Sequence, residues 1–394
     1  MTFTEFILAH GEDDPVRLLL SRKRYPEIDL SLAVSTIEAR RQLKAKIPEW
    51  HAVPSLWFPS RLCAEQCSSS VTARFKGDIA AGLRRIADLT GGLGVDSWAF
   101  SKVAGEVLYN EKDTRLYEAV RHNFKELGID NVRFENKCLE KGKVADILGD
   151  FVPDLIYMDP ARRASDGRKV FLLEDCSPDV VPLLPEMFDI CRLVFLKLSP
   201  MADISLLTKQ LPHIRDIYIV AVGGECKELL FLLDREWTAP EIVTIVENGE
   251  KLILPFCKNA VKYVEGEDDP LLSAGSYLFE PGHALAKSGE FSYPCVYPVK
   301  KLAHSTHLYA SEGIVRPLSP YGKWFRIEAV HHLDKRSIKE VGEAYPRAEV
   351  SARNVPVSSD ELRRRLGCTS GGNIHIFAAA TSSGRVLIVC KKLV

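Results

Sequence analysis

At 394 residues the chain is too long for one ordinary domain, and two or three are expected. It is 46% hydrophobic and 27% charged with a net charge of −1, which suits globular domains with sizeable cores and excludes a globally basic nucleic-acid binder. Ten scattered Cys without a C-x-x-C pair exclude a zinc ribbon or redox dithiol, and no apolar window reaches membrane length, so a metal-free, membrane-free cytoplasmic protein is expected. Residues 1–80 read as a helical region. Ile28 to Arg40 carries apolar residues at helical spacing, and Pro48, Pro54 and Pro59 punctuate an aromatic loop with Trp50, Trp57 and Phe58. Cys63 and Cys67, four apart, read as buried small thiols. The stretch Glu65 to Lys76 is dense in hydroxyls, which either line a ligand pocket or cap a helix.

Residues 81–235 alternate strand and helix. Strands are expected at 85–89, 106–110, 131–135, 153–158, 192–198, 216–222 and 228–233, with helices at 96–103, 113–127, 180–190 and 202–211. Such alternation gives a doubly wound, mostly parallel α/β sheet. Only Gly223 to Lys227 separate the last two strands, too few for a helical crossover, so the last strand should be reversed. The first strand ends at Asp88 and runs into Leu89-Thr90-Gly91-Gly92-Leu93-Gly94, a turn whose glycines let a ligand approach bare backbone. The second ends at Glu111, where a nucleoside-binding α/β fold places the acceptor for its ribose hydroxyls. A dinucleotide site would need G-x-G-x-x-G, but Gly stands at 91, 92 and 94 and Ser97 fills the next slot. The fourth strand ends in Asp159-Pro160-Ala161-Arg162-Arg163, and the next in Lys197-Leu198-Ser199-Pro200, which either meets substrate or simply ends the strand.

Seven strands with a reversed last one resemble the class I S-adenosylmethionine-dependent methyltransferases, and their trimethylguanosine synthase branch most. Asp88, Thr90, Gly92 and Gly94 match the family's first motif, with Thr for its first glycine. The resemblance implies that these residues hold the cofactor's methionine part, that Glu111 binds the ribose, and that Asp113 is a reserve ribose partner. The family's adenine-contacting acid is missing after the third strand, which leaves Asn136 or a backbone N–H. Asp159-Pro160-Ala161-Arg162 sits where amine-methylating members carry Asp/Asn-Pro-Pro-aromatic. The resemblance implies that Asp159 and the following carbonyl accept hydrogen bonds from a substrate amine. Arg162 stands in the aromatic's place, where a guanidinium stacks on a base or, with Arg163, clamps a phosphate.

Residues 236–320 read as a β-rich linking domain and 321–394 as an α+β module ordered strand, helix, strand, helix, strand, strand. The module resembles the THUMP-like domain that accompanies some bacterial methyltransferases, THUMP itself being an RNA-binding module. It holds 13 Lys and Arg against 7 Asp and Glu. Arg353 and the run Arg363-Arg364-Arg365 are the candidates to grip RNA phosphates. The expectation is an S-adenosylmethionine-dependent methyltransferase acting on a nucleotide of RNA. Two alternatives stay open: the same chemistry on a small molecule or protein, and a catalytically silent RNA-binding protein.

Overall fold

The structure, a computed structural model, describes residues 1–162, 173–255 and 271–393. Six helices precede the first strand: α1 (Phe3–His10), α2 (Pro15–Leu20), α3 (Leu30–Lys46), α4 (Pro48–His51), α5 (Arg61–Gln66) and α6 (Ser70–Ile79). Thr2, Asp14, Asp29, Ser60 and Ser69 start five of them, each side-chain oxygen accepting from a backbone N–H of the first turn. The aromatic loop belongs to the core. Trp50 and Phe58 are fully buried in one cluster with Trp98, Tyr109, Val120 and Phe124.

Strand and helix then alternate as the periodicity predicts: β1 (Arg85–Asp88), α7 (Val95–Ser101), β2 (Glu106–Asn110), α8 (Thr114–Glu126), β3 (Val132–Glu135), α9 (Val144–Leu148) and β4 (Leu155–Met158). A two-residue pair, β5 (Ala161–Arg162) with β6 (Cys176–Ser177), follows β4. Next come α10 (Leu184–Ile190), β7 (Leu193–Leu198), α11 (Ile204–Gln210), β8 (Ile214–Val222) and β9 (Glu225–Asp234). Gly223 and Gly224, both at positive φ, make the two-residue turn between β8 and β9. β1, β2, β3, β4 and β7 run parallel, and β9 runs antiparallel to β7. The reversed strand is therefore present.

The expected count of seven strands is corrected to nine. A hairpin, β10 (Ile242–Glu247) with β11 (Glu250–Pro255), continues the sheet beside β8, in the order β11-β10-β8-β9-β7-β4-β1-β2-β3. Strand neighbours far apart in sequence leave no local signal, so the hairpin reads in sequence only as a β-rich piece.

A second sheet of seven strands has the order β13-β14-β12-β15-β18-β17-β16. Its members are β12 (Tyr277–Pro281), β13 (Lys300–Ala303), β14 (Thr306–Ser311), β15 (Gly322–His332), β16 (Glu349–Arg353), β17 (Ile374–Thr381) and β18 (Gly384–Lys392). Three helices accompany these strands: α12 (His283–Ser288), α13 (Lys335–Ala344) and α14 (Ser359–Leu366). Alternation along β17 and β18 divides the core. Ile376, Ala378, Leu387 and Val389 pack with Ile338, Val341, Leu362 and Leu366 of α13 and α14, while Phe377, Ala379, Ile388 and Cys390 pack with Leu278, Leu308 and Phe325. The chain divides into two compact units, Met1–Ile217 with Glu228–Glu241, and Tyr218–Lys227 with Ile242–Val394. None of the helices among the described residues is long and apolar enough to cross a membrane.

Candidate functional site

Parallel strands bring their carboxyl ends to one edge of the sheet, and the candidate residues of β1, β2 and β4 meet there. The turn after β1 is fixed by its surroundings. A Cβ on Gly91 would lie 2.1 Å from the buried Tyr109 ring, and Gly94, at φ +81, starts α7 against Val120. Gly92, at φ +52, is partly exposed, and a Cβ there would meet only the Thr90 carbonyl oxygen, at 4.0 Å. The Tyr109 hydroxyl donates to the Gly92 carbonyl at 2.6 Å, and Gly91 N donates to the Asn110 carbonyl at 2.8 Å. Asp88 is buried below the turn. One of its oxygens accepts from Thr90 N at 3.1 Å and the other from the Ser97 hydroxyl at 2.6 Å. Burial pushes its carboxyl up to about 8, against the pull of those two bonds. Both oxygens of Asp88 are thus engaged in shaping the turn.

Glu111 stands at the tip of β2 with one oxygen accepting from Gly92 N at 2.9 Å and the other from Asp113 N at 2.8 Å. Each oxygen keeps a further lone pair on a partly exposed side chain, an arrangement that suits a vicinal diol. Asp113 caps α8 through Arg115 N and Leu116 N. Asn136 braces this loop: its amide donates to the Glu111 carbonyl at 2.6 Å and its carbonyl accepts from the Thr114 hydroxyl at 3.0 Å.

Asp159, at the end of β4, is tied to the same turn. Its N–H donates to the Thr90 hydroxyl at 2.6 Å. Its Oδ2 accepts from Lys197 at the end of β7, and Oδ1 takes no hydrogen bond among the described residues. The Asp159 side chain is 34% exposed and that of Lys197 only 12%, so the carboxylate is reachable and the ammonium nearly sealed. Desolvation pushes the Asp159 carboxyl above its usual range, and the Lys197 ammonium pulls the other way. Pro160 follows, and Arg162 lies in β5 opposite Cys176. Arg163 lies outside the described residues.

Sequence reasoning missed the charges beneath Asp159. Lys76 of α6 is fully buried. Its Nζ donates to Glu228 Oε2 at 2.6 Å and to Ser68 Oγ at 3.0 Å, and it pairs with Asp96 Oδ1 at 3.2 Å. Asp96 Oδ2 also accepts from Ser68 at 2.9 Å and from Tyr157 of β4 at 2.8 Å. Burial raises the Asp96 carboxyl, but the ammoniums of Lys76 and Lys197 outweigh it and hold it below its usual value. Desolvation likewise pulls Lys197 down, while the carboxylates of Asp159, Glu228 and Asp96 more than offset it and hold the ammonium well above its usual range. Two signals pointed here: the hydroxyl-rich stretch before α6, and Lys197 at a strand end. Ser69 of that stretch is a cap, whereas Ser68 is part of the site.

In the second unit Arg353 pairs with Glu280 at 2.8 Å, Arg363 with Asp360 at 3.0 Å, and Arg365 with Glu361. Arg364 is exposed and in no ion pair among the described residues.

Residues 322–392 match the family described as THUMP domain-like, and residues 277–317 one described as a ferredoxin-like domain. The crystal structure of a putative methyltransferase from Porphyromonas gingivalis is 29% identical, with a TM-score of 0.84 over 100% of this chain and 98% of that one. Two uncharacterised S-adenosylmethionine-dependent methyltransferases from two strains of Mycobacterium tuberculosis are each 25% identical over 350 residues, 84% of this chain and 88% of theirs. The chain has the α/β methyltransferase fold, with a mixed sheet followed by a second, C-terminal sheet.

Proposed function

We infer that the protein is an S-adenosylmethionine-dependent methyltransferase that modifies an exocyclic amine of a nucleotide in RNA. One observation carries the reading: a single glycine turn is hydrogen-bonded to both acidic residues, to the Glu111 carboxylate through Gly92 N and to the Asp159 backbone N–H through Thr90 Oγ. A cofactor seated on that turn is thereby aligned with an acceptor seated on Asp159. The similarity to the Mycobacterium tuberculosis and Porphyromonas gingivalis methyltransferases supports the cofactor. The THUMP-like match and the basic surplus of residues 321–394 support RNA, and the Asp-Pro motif supports the amine chemistry of the trimethylguanosine synthase-like branch.

The donor set fits the cofactor: open backbone at Gly92, a fixed carboxylate at Glu111 for the ribose hydroxyls, and Thr90 and Gly94 completing the cradle. Bound there, S-adenosylmethionine supplies an electrophilic methyl group. The chain contributes position. Asp159 Oδ1 accepts an N–H of the acceptor amine, which turns the nitrogen lone pair toward the methyl group, and Pro160 stiffens the backbone that carries it. The nitrogen gains positive charge as it is alkylated. Asp96, Glu228 and Asp159 exceed Lys76 and Lys197 by one negative charge among the described residues of the cluster, which favours that developing cation. Arg162 and Arg163 are proposed to meet the base or a flanking phosphate, and Arg353 with Arg363 to Arg365 the RNA backbone.

Calorimetry with S-adenosylmethionine and S-adenosylhomocysteine tests the cofactor site. Wild type should bind both at micromolar levels, and Glu111→Ala should weaken binding about 10–100-fold, the loss for a hydrogen-bonded charged group. Absence of binding to wild type would remove the reading.

A further inference from the structure

Burying the Lys76 ammonium with the Asp96 and Glu228 carboxylates, beside a nearly sealed Lys197, is an expensive way to stabilise a fold, because each ion loses several kcal/mol of hydration and an apolar cluster of equal volume serves as well. The two lysines also differ in situation. Lys76 is hydrogen-bonded to Ser68 and Glu228 and paired with Asp96, whereas Lys197 ends on Asp159, the residue that faces the acceptor. Strand register explains the convergence. Tyr157 pairs with Phe195 and Leu198 with Leu229, so Asp159, Lys197 and Glu228 come from neighbouring strand ends, while α6 and α7 bring Lys76 and Asp96.

A desolvated Asp159 without a partner has two ways to fail. It can take up a proton, becoming a donor where the acceptor's N–H needs an oxygen lone pair. It can also rotate about its terminal torsion, which is a soft one. An ammonium on Oδ2 prevents both and leaves Oδ1 as the remaining acceptor. The geometry points to Lys197 as a positioning residue that fixes Asp159 as a carboxylate with Oδ1 turned to the acceptor. The inference rests on reading Asp159 as the acceptor's partner.

The test uses full-length wild type, Lys197→Met and Lys197→Arg. Three quantities are followed: S-adenosylmethionine affinity by calorimetry, tritiated methyl transfer to bulk bacterial RNA from pH 6 to 9, and titration of the Asp159 carboxyl by carbon-13 NMR, assigned with Asp159→Asn. Among the described residues the groups near Asp159 are Lys197 on β7, Asp96 on α7, Lys76 on α6, Asp88 on β1 and Tyr157 on β4, with Glu228 on β9 next to Lys197 and Tyr157. Lys197→Met should keep cofactor affinity within about threefold while the proton affinity of Asp159 rises at least about tenfold. Transfer should fall at least about 30-fold at neutral pH and recover in part toward pH 9, where Asp159 ionises unaided, and Lys197→Arg should stay within about fivefold. An unchanged Asp159 titration in a Lys197→Met protein that still binds cofactor overturns the inference. If wild type transfers nothing to RNA, the RNA reading falls and the titration alone decides the role of Lys197. Should Lys197→Met fail to fold, Lys197→Gln, neutral but able to hydrogen-bond, gives the same titration.

Discussion

The two units place their titratable groups differently. In the first, the Lys76 side chain lies between the Asp96 and Glu228 carboxylates, with Lys197 and Asp159 adjoining them at the sheet edge. In the second, Glu247, Glu290 and Lys301 are buried, and two half-buried imidazoles stack on phenyl rings. His375 lies 4.0 Å from Phe377 and His307 3.4 Å from Phe291, both near parallel, and burial pushes both down to about 4. His375 also shares a hydrogen bond with the Ser351 hydroxyl at 2.9 Å. Charges kept in a core are costly, and in the first unit they sit where parallel strands end and chemistry is expected. The contrast separates the sheet edge that carries the clustered charges from the unit that carries the basic helix α14.

Lys76→Met attacks the comparison most directly. It leaves Glu228 and Asp96 buried without their shared cation, and removing one partner of a buried pair costs about 3–5 kcal/mol. Denaturant unfolding should show that loss. Lys76→Met with Glu228→Gln should recover part of it, since fewer unpaired charges then remain. A loss below about 1 kcal/mol would place the pair among exposed salt bridges in energetic terms and end the contrast.

How much of this was legible in sequence depends on how local each signal is. The turn from Asp88 to Gly94 and the acid at Glu111 lie in one run of about 24 residues, and glycine requirements and strand ends can be read there. The helix caps and the reversed β9 follow from adjacent residues for the same reason. The buried cluster does not. Ser68, Lys76, Asp96, Tyr157, Lys197 and Glu228 come from six places along the chain, and each looks ordinary where it stands. Lys76 reads as the basic last turn of a helix, although it is fully buried. The two extra sheet strands were hidden likewise, because pairing between β10 and β8 leaves no mark on either sequence.

The pH dependence sharpens the contrast. Asp88 is held near 8 in the fold against an ordinary 3.8, so the folded state binds its proton more tightly than the unfolded chain. The resulting stability is full below about pH 4 and is lost as pH rises toward 8, a change on the order of 3 kcal/mol between pH 5 and 8. For His375 and His307 the folded values lie below the ordinary 6.5. Their contribution is full above pH 6.5 and is lost as pH falls toward 4. Hydrogen exchange resolved by segment should therefore show residues 85–101 opening faster at pH 8 than at pH 6, and residues 374–381 opening faster at pH 5 than at pH 7. Asp88→Asn should flatten the first trend alone. The same pH trend in both segments would mean that the groups named here do not govern local stability.

The smallest effect on stability, and the one that tests what the second unit is for, belongs to the arginines of α14. Arg363 and Arg365 are paired with acids of their own helix, and such exposed pairs contribute about 0.3–0.5 kcal/mol, so reversing them with Arg364 should barely move the unfolding midpoint. Phosphate binding obeys a different rule. Each phosphate neutralised on a single strand releases condensed counterions and adds about 0.7 to the slope of log affinity against log salt. Because two of the three arginines already face carboxylates, fewer than three contacts are available. Replacing Arg363, Arg364 and Arg365 by Glu should lower the slope by about 1–2 for a 20-nucleotide RNA and weaken binding at least about tenfold at moderate salt. S-adenosylmethionine affinity should not change, because Glu111, Gly92 and Asp159 are untouched. An RNA affinity with an unaltered salt slope would move the nucleic-acid surface away from α14 and leave Arg353, Arg162 and Arg163 as the places to look.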